Sequence, residues 1–240
     1  MESLNKRIVI AGATGSVGEG LTAEFLRQGH HVIAVVRNEE KKDKLVADLA
    51  SQAINIDRLS FILGTYSNES DIKELQSQLA EAGPIDIAVA SLGGWYHGGH
   101  LYDLPVEDMT NVLESGLQSH LYFSKVILPL LKAQQKGAYI LINGGASEFA
   151  VPHSGIISVV AAAQKMMAQV LHNELRPYGV RVYGVAAFDL VKTRDRANNE
   201  KLWLSPQVIA NYITALVQSG KTYAYWHKLQ TPKDLQLPEN

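Results

Sequence analysis

The fold of this chain is decided by the turn Gly12-Ala13-Thr14-Gly15-Ser16-Val17-Gly18. The turn follows an apolar run at 7–11 and opens a segment, 16–28, with apolar residues at helical spacing. A strand, a glycine turn and a helix in this order are typical of the first βα unit of a dinucleotide-binding domain. There the first glycine allows a tight turn, the second leaves room for a pyrophosphate, and the third lets helix and strand pack closely. The N–H groups at the helix N-terminus also favour phosphate.

Apolar runs and helical patterns alternate along the rest of the chain. The predicted strands are 7–11, 32–36, 59–63, 85–91, 138–143, 180–187 and 222–226. The predicted helices are 16–28, 39–50, 69–82, 106–134, 154–176 and 206–218. Most strands are continuous runs of Val, Ile, Leu and Ala, which is typical of strands buried on both faces of a parallel sheet. We therefore predict an α/β fold with a three-layer, doubly wound parallel sheet of about seven strands, the Rossmann fold.

The composition limits the number of domains and the classes of partner. The chain has 240 residues, which favours a single domain over 1–230 followed by a C-terminal tail at 231–240. It has no cysteine, which excludes disulfides, thiolate catalysis and cysteine-based metal sites. A formal net charge of −2 argues against nucleic acid or an anionic membrane as a partner. Without a signal-peptide pattern or a spanning apolar run, we expect a cytoplasmic protein with a small-molecule substrate and no metal.

The end of the second predicted strand bears on which dinucleotide the chain prefers. The sequence there is Val35-Val36-Arg37-Asn38, and the first acidic residue is Glu39. A site for NAD(H) usually has an acid at this point for the ribose hydroxyls, whereas an arginine can pair with the 2′-phosphate of NADP(H). The sequence therefore favours NADP(H) over NAD(H). The alternative is that Arg37 is an ordinary solvent-exposed residue after the strand.

The glycines at 12, 15 and 18 are spaced G-x-x-G-x-x-G, and this turn resembles the atypical nucleotide turn of the short-chain dehydrogenase/reductase family. The resemblance extends over essentially the whole chain. Ser91-Leu92-Gly93-Gly94 stands where the family has its N-N-A-G stretch, and 124–131 resembles a family helix that ends in an L-P-L pattern. Residues 140–147 resemble the strand that leads to the catalytic serine, and 180–186 resemble the next strand.

The resemblance, together with the turn and Arg37, implies a nicotinamide cofactor and a set of residues that bind it. Thr193 lies near the family's threonine that touches the nicotinamide amide. The predicted cofactor-binding residues are Gly12, Thr14, Gly15, Ser16, Val17, Gly18, Arg37, Ser91, Gly93, Lys165 and Thr193.

The family's catalytic Tyr-x-x-x-Lys pair is only half present. It is matched by Ala161-Ala162-Ala163-Gln164-Lys165, so the lysine is kept and the tyrosine is Ala161. In the family this lysine lowers the pKa of the phenol and holds the nicotinamide ribose, and a methyl group cannot exchange a proton. The resemblance implies Ser147 and Lys165 as catalytic residues, although Ala146 is an alternative match for the serine.

Other family positions are also altered in this sequence. The helix asparagine falls at about Gly116, the acid that holds adenine at Thr65, and the proline-glycine pair at Ala187-Phe188. Histidine suits proton transfer near neutral pH, and several residues follow strands at the end of the sheet where ligands bind. The missing acid could be replaced by Tyr96, His97, His100, His153 or water.

Two long predicted helices, 106–134 and 154–176, carry apolar residues on more than one face. These residues are Leu117, Leu121, Val126, Val159, Met166, Met167 and Val170. A helix that is apolar all round must be buried, and in the family these two helices form the dimer interface. We therefore expect a homodimer or homotetramer. The alternative is that both faces are buried within one chain.

Three functions remain open from the sequence. The first is an NADP(H)-dependent oxidoreductase that acts on an unidentified carbonyl or alcohol with a degenerate Ser-Tyr-Lys site. The second is a non-catalytic NADP(H)-binding sensor or scaffold. The third is a fold that binds no nucleotide and acts through its oligomer surface.

Overall fold

The computed structural model describes residues 5–200, 203–221 and 223–237. A seven-stranded sheet with all neighbouring strands parallel runs through its centre, in the order β3-β2-β1-β4-β5-β6-β7. The strands are β1 (Arg7–Ala11), β2 (His31–Val36), β3 (Leu59–Leu63), β4 (Ile87–Ala90), β5 (Ala138–Gly144), β6 (Arg181–Ala187) and β7 (Trp226–Leu229). The strand order reverses direction between β1 and β4, so the predicted doubly wound α/β fold is confirmed.

Helices cover both faces of the sheet. They are α1 (Ser16–Arg27), α2 (Glu39–Ala50), α3 (Glu69–Glu81), α4 (Val106–Val112), α5 (Ser119–Gln134), α6 (Gly155–Leu175) and α7 (Pro206–Gln218). One core lies under α1, α2 and α7, and a second lies under α3, α5 and α6. In β1, Ile8 and Ile10 enter the first core, while Val9 and Ala11 enter the second. Both faces of the strand are buried, which explains why its sequence shows no polar alternation.

The long helix predicted at 106–134 is interrupted. A π-helical segment, Leu113–Gln118, separates α4 from α5. Gly116 lies in this segment, and a Cβ on Gly116 would stand 2.6 Å from Val160 Cγ1. Isolated π-helical turns are often found at functional sites. The apolar periodicity continues through the segment, so the interruption was not visible in the pattern.

The last strand lies later in the chain than predicted. The prediction placed it at 222–226; Thr222 is outside the described residues, and the ladder with β6 begins at Trp226. The run Tyr223-Ala224-Tyr225 has strand-like composition, whereas β7 itself contains His227 and Lys228. His227 is buried, and its Nδ1 lies 2.8 Å from the Tyr212 hydroxyl. Because β7 contains a buried histidine in place of an apolar residue, a search for apolar runs does not find this strand.

The segment predicted as a tail contains ordered contacts. Pro232–Leu235 form a 3-10 turn with a capping box between Thr231 and Asp234. Leu235 and Leu237 pack against the first core. The boundary at residue 230 stays a prediction. Among the described residues, no helix is long and apolar enough to cross a membrane.

Four of the apolar residues named for an oligomer interface face outward: Leu121, Val159, Met166 and Val170. Val126 and Met167 are buried in the second core, and Leu117 packs against a small cluster that includes Val112 and Val160. The described chain therefore does not itself cover the outer face of α5 and α6. A homodimer or homotetramer stays a prediction.

Two buried histidines make stability depend on pH. His120 Nε2 lies 3.3 Å from the Leu92 carbonyl oxygen, and its Nδ1 has no partner within the described chain. His227 Nε2 also lacks a partner there. Burial lowers the pKa of each imidazole from 6.5 to about 4. Between these two values the unfolded chain binds protons that the folded chain does not, so stability falls as the pH is lowered.

We predict that the free energy of unfolding decreases between pH 6.5 and pH 4 by up to about 3 kcal/mol for each of the two histidines. Urea unfolding at a series of pH values measures this slope. His120→Phe removes one titrating group, so its slope should be shallower than that of the wild type. Identical slopes for the two proteins would show that His120 does not remain neutral in the folded state.

Candidate functional site

The glycine turn fits tightly against the end of β4. Gly12 has a φ of +81°, and a Cβ there would stand 2.0 Å from the Ser91 carbonyl oxygen. A Cβ on Gly18 would stand 2.1 Å from the Gly12 carbonyl oxygen. These two glycines are therefore required by contacts of the chain with itself.

Gly15 is different, because its backbone would accept a side chain. Its φ is −81°, and a Cβ at this position would stand 3.4 Å from its nearest neighbour, the Gly12 carbonyl oxygen. Gly15, Ser16 and Val17 line a cleft instead. The absence of a Cβ at Gly15 thus leaves space for something outside the chain to approach the backbone.

The N-terminus of α1 carries no side-chain cap. Gly15 occupies the N-cap position, whereas Asn38, Asn68 and Ser205 cap α2, α3 and α7 with their side chains. Because Gly15, Ser16 and Val17 line the cleft, the N-terminus of α1 borders it without a capping side chain. An anion is the ligand that such a helix end favours, and a dinucleotide pyrophosphate fits this donor set.

The cleft has a volume of about 550 Å³ and lies at the carboxyl ends of β1, β4 and β5. In doubly wound sheets, ligands bind where the strand order reverses, and here that point is between β1 and β4. The predicted cofactor residues that line the cleft are Gly15, Ser16, Val17, Ser91, Gly93 and Thr193. Thr14 lines an adjoining hollow together with Glu19, Lys44 and Arg194.

Arg37 lies at the exposed end of β2, in a separate hollow on the side of the turn away from the cleft. Within the described chain it forms no hydrogen bond or ion pair, so its guanidinium is available. The same hollow contains Asp71, which accepts a hydrogen bond from Thr65 Oγ1. That bond and a second from Ser67 hold the pKa of Asp71 below its usual value. Sequence reasoning missed this acid, because α3 supplies it rather than the end of β3.

Lys165 lies outside the cleft lining. Its Nζ is 2.6 Å from Glu148 Oε1 and lies 5.4 Å from the centre of the Trp226 ring. Glu148 also pairs with Lys228. The ammonium of Lys165 is thus engaged by Glu148, and Lys165 does not belong to the cleft wall. Its predicted roles in catalysis and cofactor binding therefore stay predictions.

Ser147 is also turned away from the cleft. It is buried, and its Oγ donates a hydrogen bond of 2.8 Å to the Gly144 carbonyl oxygen. The residues at the end of β5 that line the cleft are Asn143 and Gly144. A catalytic role for Ser147 stays a prediction.

A chain of amides that the sequence reasoning missed forms the wall of the cleft beside Ala161. Gln164 Nε2 donates to the Gly116 carbonyl oxygen at 3.2 Å, and Gln164 Oε1 accepts from Asn143 Nδ2 at 3.0 Å. Asn143 Nδ2 also lies 3.1 Å from the Ala161 carbonyl oxygen. The π-helical segment, β5 and α6 are thus joined by neutral groups. Gln164 immediately precedes Lys165 in the motif, and its residue type alone gives no indication that it lines the cleft.

Of the candidate replacements for the missing acid, Tyr96 belongs to the cleft lining, whereas His97, His100 and His153 lie close to one another outside it. Tyr96 lines the cleft, and its hydroxyl donates a hydrogen bond of 2.8 Å to Asp108 Oδ2, which raises the pKa of the phenol. The rings of His97 and His100 lie 5.8 Å and 5.0 Å from that of His153. Among the cleft-lining residues of the described chain, only Tyr96 and Arg196 carry a protonatable side chain. No group of three described His, Asp or Glu residues is arranged to hold a metal.

An ion-pair network ties the segment after β6 to the glycine-turn side of the fold. Arg194 Nε lies 3.0 Å from Glu19 Oε1, and Arg194 Nη2 lies 2.7 Å from Asp48 Oδ1. Glu19 is in the first turn of α1 and is buried, which raises the pKa of its carboxyl, while Arg194 opposes the rise. Thr193 and Arg196 flank this anchor and line the cleft.

Comparison with known proteins gives a consistent result. The family profile described as short chain dehydrogenase matches residues 6–201. The chain is 24% identical over 250 residues to the inactive hydroxysteroid dehydrogenase-like protein 1 of Homo sapiens, and the match covers 96% of this chain and 72% of that protein. It is 26% identical over 176 residues to the NADP-dependent 3-hydroxy acid dehydrogenase YdfG of Shigella flexneri, and this match covers 73% of this chain and 68% of that protein.

Solved structures agree on the fold. A crystal structure of a metagenomic short-chain oxidoreductase (SDR) in complex with NADP superposes with a TM-score of 0.77 and 18% identity. The match covers 95% of this chain and 98% of that one. At this level of identity, the likeness shows the fold alone.

The two kinds of glycine in the turn predict different losses of stability when each is replaced by alanine. Gly12→Ala should lower the free energy of unfolding by more than about 2 kcal/mol, because alanine must take a positive φ and meet the Ser91 carbonyl. Gly15→Ala should stay within about 1 kcal/mol of the wild type. Urea unfolding of both variants measures the difference. Equal losses would show that Gly15 is also held by packing rather than left open to the cleft.

Proposed function

The chain belongs to the short-chain dehydrogenase/reductase family, and we propose that it binds NADP(H) in the cleft and catalyses oxidoreduction of a carbonyl or alcohol. The observation that carries this proposal is the N-terminus of α1, which has a glycine and no side-chain cap at its N-cap position and borders a cleft of about 550 Å³ at the switch point of the sheet. That arrangement suits a pyrophosphate flanked by two nucleoside halves.

The preference for the phosphorylated cofactor is supported by Arg37. Its exposed guanidinium has no partner in the described chain, so a 2′-phosphate on the adenosine ribose would gain a charge-assisted bond without breaking another one. Asp71 and Glu74 line the same hollow and work against a phosphate there. The Shigella flexneri relative is named as NADP-dependent, and the metagenomic oxidoreductase was solved in complex with NADP, which agrees with the proposal.

The bound nicotinamide would supply the hydride, and the chain would orient the reactants. Ser91, Gly93 and Thr193 line the part of the cleft that the nicotinamide half would reach. Ala161 provides no proton, so the proton for a reduced carbonyl comes from Tyr96 or from water. Tyr96 would first have to release Asp108.

Cofactor titration tests the proposal. The wild type should bind NADPH more tightly than NADH, and Arg37→Ala should weaken NADPH binding about tenfold or more with little change for NADH. Nicotinamide fluorescence or calorimetry measures both dissociation constants.

Arg176→Ala is the matched control, since Arg176 is exposed near the amino ends of β5 and β6, remote from the cleft. Gly15→Ala should weaken both cofactors. If the wild type binds neither cofactor, the proposal fails; if Arg37→Ala affects both equally, the 2′-phosphate contact is wrong.

A second candidate function, a non-catalytic NADP(H)-binding sensor or scaffold, is favoured by one observation. The wall of the cleft around Ala161 consists of the neutral groups Asn143, Gln164 and the Gly116 carbonyl, where proton transfer would need an ionisable side chain. The name of the human relative describes it as inactive, which agrees with this alternative.

Turnover separates the two candidates. An oxidoreductase should consume NADPH in the presence of at least one aldehyde, ketone or 3-oxo acid from a panel, followed by the loss of NADPH absorbance. A sensor should bind NADPH and remain silent with every substrate. Activity that appears only in Ala161→Tyr would favour the sensor, because that variant supplies a phenol on the cleft wall. Turnover by the wild type contradicts the sensor.

A further inference from the structure

The position of the phosphate turn determines where the two halves of a dinucleotide must lie. Arg37 marks the β2 side of the turn, and β1 separates β2 from β4 in the sheet. If the adenosine half extends toward Arg37, the other half extends over the ends of β4 and β5. The cleft runs in that direction, from Ser16 past Ser91 to Asn143 and Gln164.

One face of α6 forms the far wall of this part of the cleft. Its cleft-lining residues are Ile157, Val160, Ala161 and Gln164, which share a face because they follow helical spacing. Lys165 is turned by about 100° from Gln164 around the helix axis. Its ammonium is engaged by Glu148 on the flank toward β6 and β7.

The amide of Gln164 is buried, with 6% of the residue exposed, and is only half used by the chain. A primary amide has two N–H donors and two acceptor sites. The chain uses one donor, to the Gly116 carbonyl, and one acceptor site, from Asn143. One N–H and one lone pair therefore remain on a group that lines the cleft.

The remaining donor and acceptor are held in a fixed orientation. The carbonyl of Gly116 fixes the nitrogen end and Asn143 fixes the oxygen end, so rotation of the amide would break both bonds. Gly116 lies in the π-helical segment and cannot carry a side chain beside Val160. A fixed donor next to a fixed acceptor, without charge, matches a vicinal diol or a carboxamide, and the nicotinamide-riboside half of the cofactor carries both.

We propose that Gln164 is a residue of α6 that binds the nicotinamide-riboside half of NADP(H), through the N–H and the lone pair that the chain leaves unused. The inference rests on the proposed cofactor binding and deepens it. Gln164 contributes position and neutral hydrogen bonds, and it leaves proton transfer to another group.

The test compares a complete cofactor with a fragment that lacks the nicotinamide riboside. The affinities of NADPH and of adenosine 2′,5′-bisphosphate are measured by calorimetry for the wild type, Gln164→Met and Gln169→Leu. Gln164→Met should weaken NADPH binding about tenfold and leave the bisphosphate unchanged. Gln169→Leu is the control for loss of an amide on the same helix, at a position outside the cleft lining.

Retained bisphosphate affinity also reports that a variant is folded. If Gln164→Met loses it, Gln164→Asn, which keeps an amide but shortens its reach, replaces it in the comparison. The proposal is overturned if the folded Gln164 variants bind NADPH as the wild type does, if Gln169→Leu weakens NADPH binding as much as Gln164→Met does, or if both Gln164 variants lose the bisphosphate. A wild type that binds neither ligand would instead refute the proposed function.

Discussion

The close approach of Gly12 to the end of β4 is the constraint on which the rest of the site depends. A backbone without Cβ atoms at positions 12 and 18 lets the turn press against the Ser91 carbonyl and lets α1 begin immediately above it. The N-terminus of α1 is thereby placed at the point where the strand order reverses. The connections from neighbouring strands diverge at this point, so the strand ends leave a cleft, and the helix end faces it. The backbone alone thus places the anion-favouring end of α1 at the cleft, independently of the side chains that line it.

This arrangement also has an electrostatic consequence. The first turn of α1 buries Glu19 beside the phosphate-favouring end of the helix, where burial alone would favour the neutral acid. Arg194 compensates the charge and pairs with Asp48 at the same time. As a result, the segment that follows β6 is anchored across the turn, with Thr193 and Arg196 on the cleft. Glu19, whose carboxylate would repel a phosphate, is therefore also the residue that holds Arg194 and so anchors this wall of the cleft.

Most of the fold was predictable from the sequence because a parallel sheet buried on both faces leaves a strong apolar pattern. The exceptions have local physical causes. β7 carries His227, whose buried partner Tyr212 lies on another element, and the π-helical segment around Gly116 lies in close contact with Val160 of α6. The glycine turn was likewise predictable, because backbone geometry restricts the residue type directly. Side-chain direction on α6 was not, because the rotation of a helix about its axis is set by packing against both neighbours.

That difference explains why the sequence of this chain predicts phosphate binding but does not identify the group that transfers a proton. Phosphate binding depends on glycines and helix N–H groups, which a sequence displays as spacing. Proton transfer depends on one ionisable side chain at one point of the cleft wall, and a shift by a single helical position changes which residue stands there. Lys165 satisfies the spacing of the motif, yet Glu148 holds it on the other flank of α6, and the neutral Gln164 faces the cleft. The glycine turn and the N-terminus of α1 can therefore remain complete while the side chains on the cleft wall beside them change.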